Sequence, residues 1–245
     1  RLEEDGIRRA LSLAIDRDAI AALAGITGKP AAGLVPPGVP EGEQDFRTSG
    51  GDLIDMTSEG YADRCTQAVR LMQEAGYDRG SDLGTLEYLY ADEGTSGAVA
   101  EALCRMWRSV LGLNITPRGV TKAELMTALR SGSYTLAGMA VSAVCNDAEC
   151  FLMDWTSGNS DNLLHYENSA FDTLMSIIAK AEEGSARMGC LHDAEDLLLE
   201  IDCALAPLYT AGTAWDLRET YMGGFRDPRG WFDFRGVYLR PVTVQ

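Results

Sequence analysis

The sequence predicts an α/β fold: a central mixed sheet with helices on both faces, followed by an extended carboxyl-terminal tail. Three observations predict it. Over residues 80 to 145, short apolar runs of strand length alternate with helical patterns. With 245 residues, 46% of them hydrophobic, the chain can bury a substantial core without staples. The last 35 residues change character, holding Gly212, Gly223-Gly224, Asp227-Pro228, Gly230 and Gly236 and no helical periodicity.

Residues 3 to 15 read as a helix, with Glu3, Glu4 and Asp5 at its positive end and Ile7, Leu11, Ala14 and Ile15 on one face. Asp18 is the expected cap of a second short helix through Leu23. Gly25 to Gly60 reads as a long loop punctuated by Pro36-Pro37-Gly38, Pro40-Glu41-Gly42 and Gly50-Gly51. Loops of that length are usually functional or draped over a neighbour. Tyr61 to Ala75 is a helix stopped by Gly76, and Leu86 to Tyr90 a short strand. Ser96 to Leu111 is a helix stopped at Gly112, and Leu113 to Val120 a second strand. Thr121 and Glu124 form a capping-box pair for a helix from Lys122 to Leu129. Tyr134 to Val144 is nearly all apolar, which suits a third strand in the buried centre of the sheet. Helices at Ser169 to Lys180 and Ser185 to Asp202, then a strand at Leu205 to Thr210, complete the pattern.

Composition removes several functions. The net charge is −16 and no stretch is strongly basic, which argues against nucleic acid and against docking on anionic lipid. No apolar run approaches the ~20 residues of a membrane span. The chain opens on Arg1-Leu2-Glu3-Glu4-Asp5, which reads as a cut inside a longer protein. Six cysteines allow fifteen full pairings. Cys190 and Cys203 flank one predicted helix and would lie about 19 Å apart along its axis, too far to bridge. Cys145 and Cys150 bracket Asn-Asp-Ala-Glu and could close a small loop. The pairing stays open. There is no CxxC, and His165 and His192 are not spaced as a zinc motif.

No catalytic signature stands out: GxSxG, SxxK, HExxH, the P-loop and GxGxxG are all missing. Gly94-Thr95-Ser96-Gly97 has the look of a phosphate loop, but a turn followed by a helix cap explains it. His165, between apolar residues, reads as packed, and His192 as an ordinary helix-face residue. Glu182-Glu183, Asp193, Glu195 and Asp196 read as solvated helix faces. Asn146 and Asp147 stand out among the polar residues because they follow the third strand. Residues past the carboxyl ends of strands commonly line a ligand crevice. Asp161-Asn162, near Trp155 and Tyr166, is the other polar and aromatic group of interest.

Several segments, taken in order, carry a family resemblance. Ile7 to Asp18 (IRRALSLAIDRD) resembles the "VRRALSLAIDRDAI" helix of the family 5 extracellular solute-binding proteins, the oligopeptide-, dipeptide- and nickel-binding components of ABC importers. Gly28-Lys29-Pro30-Ala31 and Val35-Pro36-Pro37-Gly38 are similar to that family's loop. The helix ending Glu74-Ala75-Gly76-Tyr77, the strand Leu86 to Tyr90 and the segment Trp107 to Ile115 match further blocks. So do Asn162, Tyr166, Phe171-Asp172, Ala194-Glu195, Ala206-Pro207-Leu208-Tyr209, Gly223-Gly224 and Trp231 to Tyr238.

The resemblance implies a periplasmic-binding-protein type II-like lobe. Residues 1–210 would be the second lobe of a two-lobed protein, and 211–245 a tail returning toward a first lobe outside this sequence. Cargo would sit in the interlobe cleft, held by a hinged closure. In peptide-binding members the third strand runs into "W-x-A-D-Y-x-D-P-x-x-F-L", whose first Asp holds the peptide amino terminus. Counting back from Phe151-Leu152 without gaps puts that Asp on Val144, the Trp on Val141, the second Asp on Asp147 and the Pro on Ala148. A shift of three residues would put Asp147 in the anchor position instead. Valine cannot neutralise an ammonium group.

The expected ligand contacts are therefore Val141, Ser142, Val144, Asn146 and Asp147, with backbone groups dominating. The resemblance implies no catalysis, no cofactor and no metal. The partners would be a peptide or similar small solute, an ABC permease and the missing lobe, with this fragment itself monomeric. The location would be outside the membrane, periplasmic or lipid-anchored, where disulfides persist. Two readings compete: a sensory or structural domain that has lost transport, and a hydrolase using His165 or His192 with nearby carboxylates.

Overall fold

A computed structural model describes residues 2, 4–25, 28–78, 80–182 and 184–211, together with the short segments 222–223 and 238–239. The chain forms two compact units, 1–211 and 212–245. In the second unit, strands β8 (Met222–Gly223) and β9 (Tyr238–Leu239) pair antiparallel. The rest of the tail reading, like Glu3 at the start of the first helix, falls outside the described residues.

The first unit is organised by a three-stranded parallel sheet. Strand β4 (Thr85–Ala91) lies at its centre, flanked by β5 (Asn114–Val120) and β6 (Leu136–Ala137). Alternation along β4 sends Leu86 and Tyr88 to one face and Leu89 to the other. The Leu86 face packs on α1 (Asp5–Leu13), α4 (Tyr61–Glu74) and α5 (Ser96–Leu111), whose inner residues include Ile7, Ala10, Ala68, Met72, Leu103 and Trp107. The Leu89 face meets Leu125 and Leu129 of α6 (Lys122–Ser131). Thr121 and Glu124 close the expected capping box on α6. Helix α5 has the bounds read from the sequence and ends at Gly112, whose φ of +65° needs a glycine-like conformation. Helix α2 (Arg17–Leu23) is capped by Asp16, whose carboxylate accepts from the Ala19 amide, and not by Asp18. Asp16 is the residue with extended backbone immediately before the helix, which is what a cap requires.

The third strand departs from expectation. Tyr134 to Val144 does not form the buried centre of the sheet. Only Leu136–Ala137 pairs, and it pairs on an edge. The register explains this. Ala137 lies opposite Leu89, and β4 has only Tyr90 and Ala91 left before it ends. A strand continuing to Val144 would run past the end of its partner. The Gly138 amide makes a last bond to the Leu89 carbonyl at 2.8 Å. A side chain at Gly138 would overlap the Tyr88 hydroxyl, so the close approach needs glycine.

A second core lies under the long loop. Val35, Val39 and Phe46 pack with Leu152, Trp155, Phe171, Met175, Leu191 and Leu198. The loop carries a hairpin, β2 (Pro40–Glu41) with β3 (Gln44–Asp45), and a short helix α3 (Phe46–Gly50) capped by Asp45. Beneath it sit α7 (Glu149–Leu152), α8 (Ser169–Ile178) and α9 (Ser185–Asp196). The single helix expected to Asp202 instead widens into a π-helical turn over Leu197–Ile201. The strand expected from Leu205 is reduced to β7 (Tyr209–Thr210), which pairs with β1 (Lys29–Pro30).

Candidate functional site

Strands β4 and β5 end together at Ala91 and Val120, β6 stops at Ala137 opposite Leu89, and residues 138–147 leave the sheet at that end. Met139 and Val141 lean on the second core. Beyond them the chain turns outward: Ser142 and Asn146 are exposed, and Val144 is 87% exposed. An apolar side chain so open at the carboxyl end of a parallel sheet lies where such sheets commonly meet ligands.

The segment is anchored just after its exposed part. Cys145 and Cys150 form a disulfide with Cα atoms 6.0 Å apart, closing the small loop that the spacing allowed. Among the described residues Cys190 and Cys203 are free thiols, as their separation along the helix required. Asp147 accepts from the Glu149 amide at 2.8 Å at the start of α7. It also receives both outer nitrogens of Arg187, at 3.0 and 3.2 Å, and Arg187 reaches Glu149 at 2.7 Å. The Arg187 side chain is only 7% exposed. Burial alone would ease its proton off, but the hydrogen bonds it donates to the two carboxylates outweigh that and hold the guanidinium more firmly charged. Asn146 adds a bond from its amide to the Gly38 carbonyl at 3.3 Å.

Of the five residues named from sequence, Ser142, Val144 and Asn146 form the exposed ledge. Val141 is half-buried behind it, and Asp147 faces Arg187. Sequence reasoning missed Arg187. Its signal was present: Arg187, Leu191, Ala194 and Leu198 fall on one helical stripe, and all four are buried. A charge on such a stripe calls for a buried partner.

The other candidates have structural roles. Asn162 is buried and ties Thr156 and Tyr166 through their backbones. Trp155 is core. His165 meets the Leu129 carbonyl at 2.8 Å. His192 stacks on Phe46 at 3.9 Å and meets Glu41 at 2.8 Å. Among the described residues no three His, Cys, Asp or Glu groups converge as a metal site. A surface recess of about 490 Å³ is lined by Asp18, Pro30, Asp52, Asp55, Met56 and Thr57. Bonds from Thr57 hold the Asp55 carboxyl below the usual carboxylate range. None of the residues named from sequence as ligand contacts lines that recess.

A parallel sheet with helices on both faces and an exposed segment at its carboxyl edge is the architecture of a periplasmic-binding-protein type II lobe. The chain belongs to the bacterial extracellular solute-binding proteins, family 5, whose middle-region description ("family 5 Middle") matches residues 2–162. It is 28% identical over 238 residues to the periplasmic oligopeptide-binding protein OppA of Escherichia coli (strain K12), covering 95% of this chain and 42% of that protein. It is 27% identical over 236 residues to the probable deoxycholate-binding periplasmic protein YgiS of the same strain, covering 96% of this chain and 42% of that protein. Among solved structures, OppA of Burkholderia pseudomallei superposes with a TM-score of 0.74 at 27% identity, over 90% of this chain and 42% of that one. The chain therefore spans well under half the length of these relatives.

Proposed function

We propose that this chain is one lobe of the substrate-binding component of an ABC importer, and that the intact protein captures a peptide or similar small solute between this lobe and another. The observation that carries the reading is the exposed Ser142–Asn146 ledge at the carboxyl edge of the parallel sheet, in a chain of a solute-binding family. Residues 1–210 supply the lobe, and 211–245 return toward the partner lobe. The role is capture without catalysis, in keeping with relatives named as binding proteins. The permease is the macromolecular partner, and nucleic acid is not. The location is the periplasm, or lipid-anchored outside the membrane, in keeping with relatives named as periplasmic. Among the described residues no helix is long and apolar enough to cross a membrane.

A non-peptide cargo is the second reading. Val144 presents an apolar surface at the position where an ungapped count along the family motif would put a carboxylate, and one relative is named for binding deoxycholate. Native mass spectrometry of the intact protein, purified gently from the host that expresses it, separates these readings. A ladder of masses that fragment as peptides supports peptide capture. A single non-peptide mass keeps transport and discards peptides. A protein that stays empty when offered peptide mixtures favours a sensory or structural role.

A further inference from the structure

The ledge has little of its own to hold it in place. Gly138 to Asn146 contains no charged side chain, and among the described residues no strand lies alongside it beyond the Gly138 amide. Besides the packing of Met139 and Val141 on the second core and the Asn146 bond to the Gly38 carbonyl, two restraints come from the following residues. One is covalent, the Cys145–Cys150 link to the first turn of α7. The other is electrostatic, the grip of buried Arg187 on Asp147 and Glu149. Bidentate arginine–carboxylate geometry fixes direction as well as distance. Both restraints fall within residues 145–150, leaving Ser142 and Val144 open to solvent.

We propose that Arg187 is the positioning residue of the cargo-contacting segment, acting through Asp147, with the Cys145–Cys150 disulfide as a covalent second brace. This rests on the reading above that residues 141–147 meet cargo. A contact surface led by backbone groups binds well only when those groups are already in place, because ordering them on binding subtracts from affinity. The charge of Asp147 is directed inward to a buried cation, so this carboxylate shapes the ledge and does not neutralise cargo. Reduction removes the covalent brace: a dithiol supplies two electrons, Cys145 and Cys150 each take a proton, and the reductant leaves as its cyclic disulfide.

The test uses the intact two-lobed protein in five forms: wild type, Arg187→Gln, Arg187→Lys, the double variant Cys145→Ser/Cys150→Ser, and Arg118→Gln as a control. Arg118 belongs to an exposed pair with Glu87. Amide hydrogen exchange is followed across residues 139–150 with no ligand present. Calorimetric titration uses two probes, a defined mixture of synthetic tri- to pentapeptides and sodium deoxycholate. Exchange at the hydrogen-bonded amides of Glu149 and Cys150, both held by Asp147, should accelerate about tenfold or more in Arg187→Gln and in the double serine variant, with α5 and α8 unchanged. Affinity for whichever probe binds should fall about tenfold, and Arg187→Lys should recover part of both effects because lysine keeps the charge but not the fork. The control should match wild type. Should Arg187→Gln fail to fold, the lysine and double serine variants carry the comparison. Unchanged exchange at the Glu149 and Cys150 amides in the variants overturns the proposal, as does wild-type affinity in them. If wild type binds neither probe, the short-peptide and bile-salt readings of the cargo fail, and the exchange data still decide whether the brace exists.

Discussion

Arg47 and Glu195 form a buried ion pair across 148 positions of sequence, with one guanidinium nitrogen 2.5 Å from each carboxylate oxygen. Their side chains are 6% and 1% exposed. Glu195 also accepts from the Val35 amide at 2.8 Å, and Arg47 donates to the carbonyls of Val35 and Gly51. The pair thus pins the long loop to α9. Removing one partner leaves a bare buried charge. Glu195→Gln is expected to lower unfolding stability by about 3–5 kcal/mol in a urea titration. A paired apolar replacement, Arg47→Met with Glu195→Leu, should recover most of that loss, because it removes the unpaired charge along with the pair.

The edge of the sheet offers a steric test. Gly138→Ala would drive a methyl group into the Tyr88 hydroxyl, and Tyr88 is itself buried. Overpacking of this kind costs about 1–3 kcal/mol. Adding Tyr88→Phe removes the oxygen in the way and should return part of the stability. Thermal unfolding of the two variants beside wild type checks both statements, and full stability in Gly138→Ala would contradict the account given for the end of β6.

Two buried thiols should make stability depend on alkaline pH. Burial is the main cause that raises Cys104 and Cys203 from an ordinary value of 9.0 to about 11. Between those values the unfolded chain gives up protons that the folded chain keeps. Their contribution is fully present below pH 9 and is lost as pH rises through 11. Urea midpoints measured at pH 8 and pH 10.5 should fall at the higher value, and Cys104→Ala should flatten part of the slope. At pH 8 a disulfide reagent should modify Cys65 and Cys190, which are partly exposed, well ahead of Cys104 and Cys203.

Val144→Asp addresses cargo directly. At 87% exposure the substitution should change stability by no more than about 0.5 kcal/mol. If the ungapped family comparison holds, the new carboxylate should tighten binding of peptides with a free amino terminus and leave amino-acetylated peptides unaffected. Titration of the intact variant with each peptide form reads the difference. Equal gains for both forms would show that position 144 does not meet the amino terminus.

Much of the fold was legible because its signals are local. The capping box at Thr121 and Glu124, the Gly112 stop and the apolar face of Ile7, Ala10 and Leu11 are set by neighbours within a turn or two. The strand misread at Tyr134–Val144 has another origin. Its composition suits a buried strand, but strand pairing also needs a partner of matching length, and β4 ends too soon. That Asn146 and Asp147 lie beyond the sheet was legible from the order of strand and loop, whereas Ser142 and Val144, read as strand, lie outside it. The two buried arginines that stabilise this region, Arg47 and Arg187, were not. Their partners lie 148 and 40 positions away, so no window of sequence contains both members.

The first and last described stretches of the larger unit are also sewn together. Arg8 and Arg9 of α1 bond to the carbonyls of Asp202 and Glu200, Arg17 bonds to that of Pro207, and β1 lies against β7. The polypeptide therefore enters and leaves this body at one seam. A body with such a seam behaves like a bead on a string. It can be spliced into a surface loop of a host protein, or recircularised and reopened elsewhere, with little entropic penalty for closing the join.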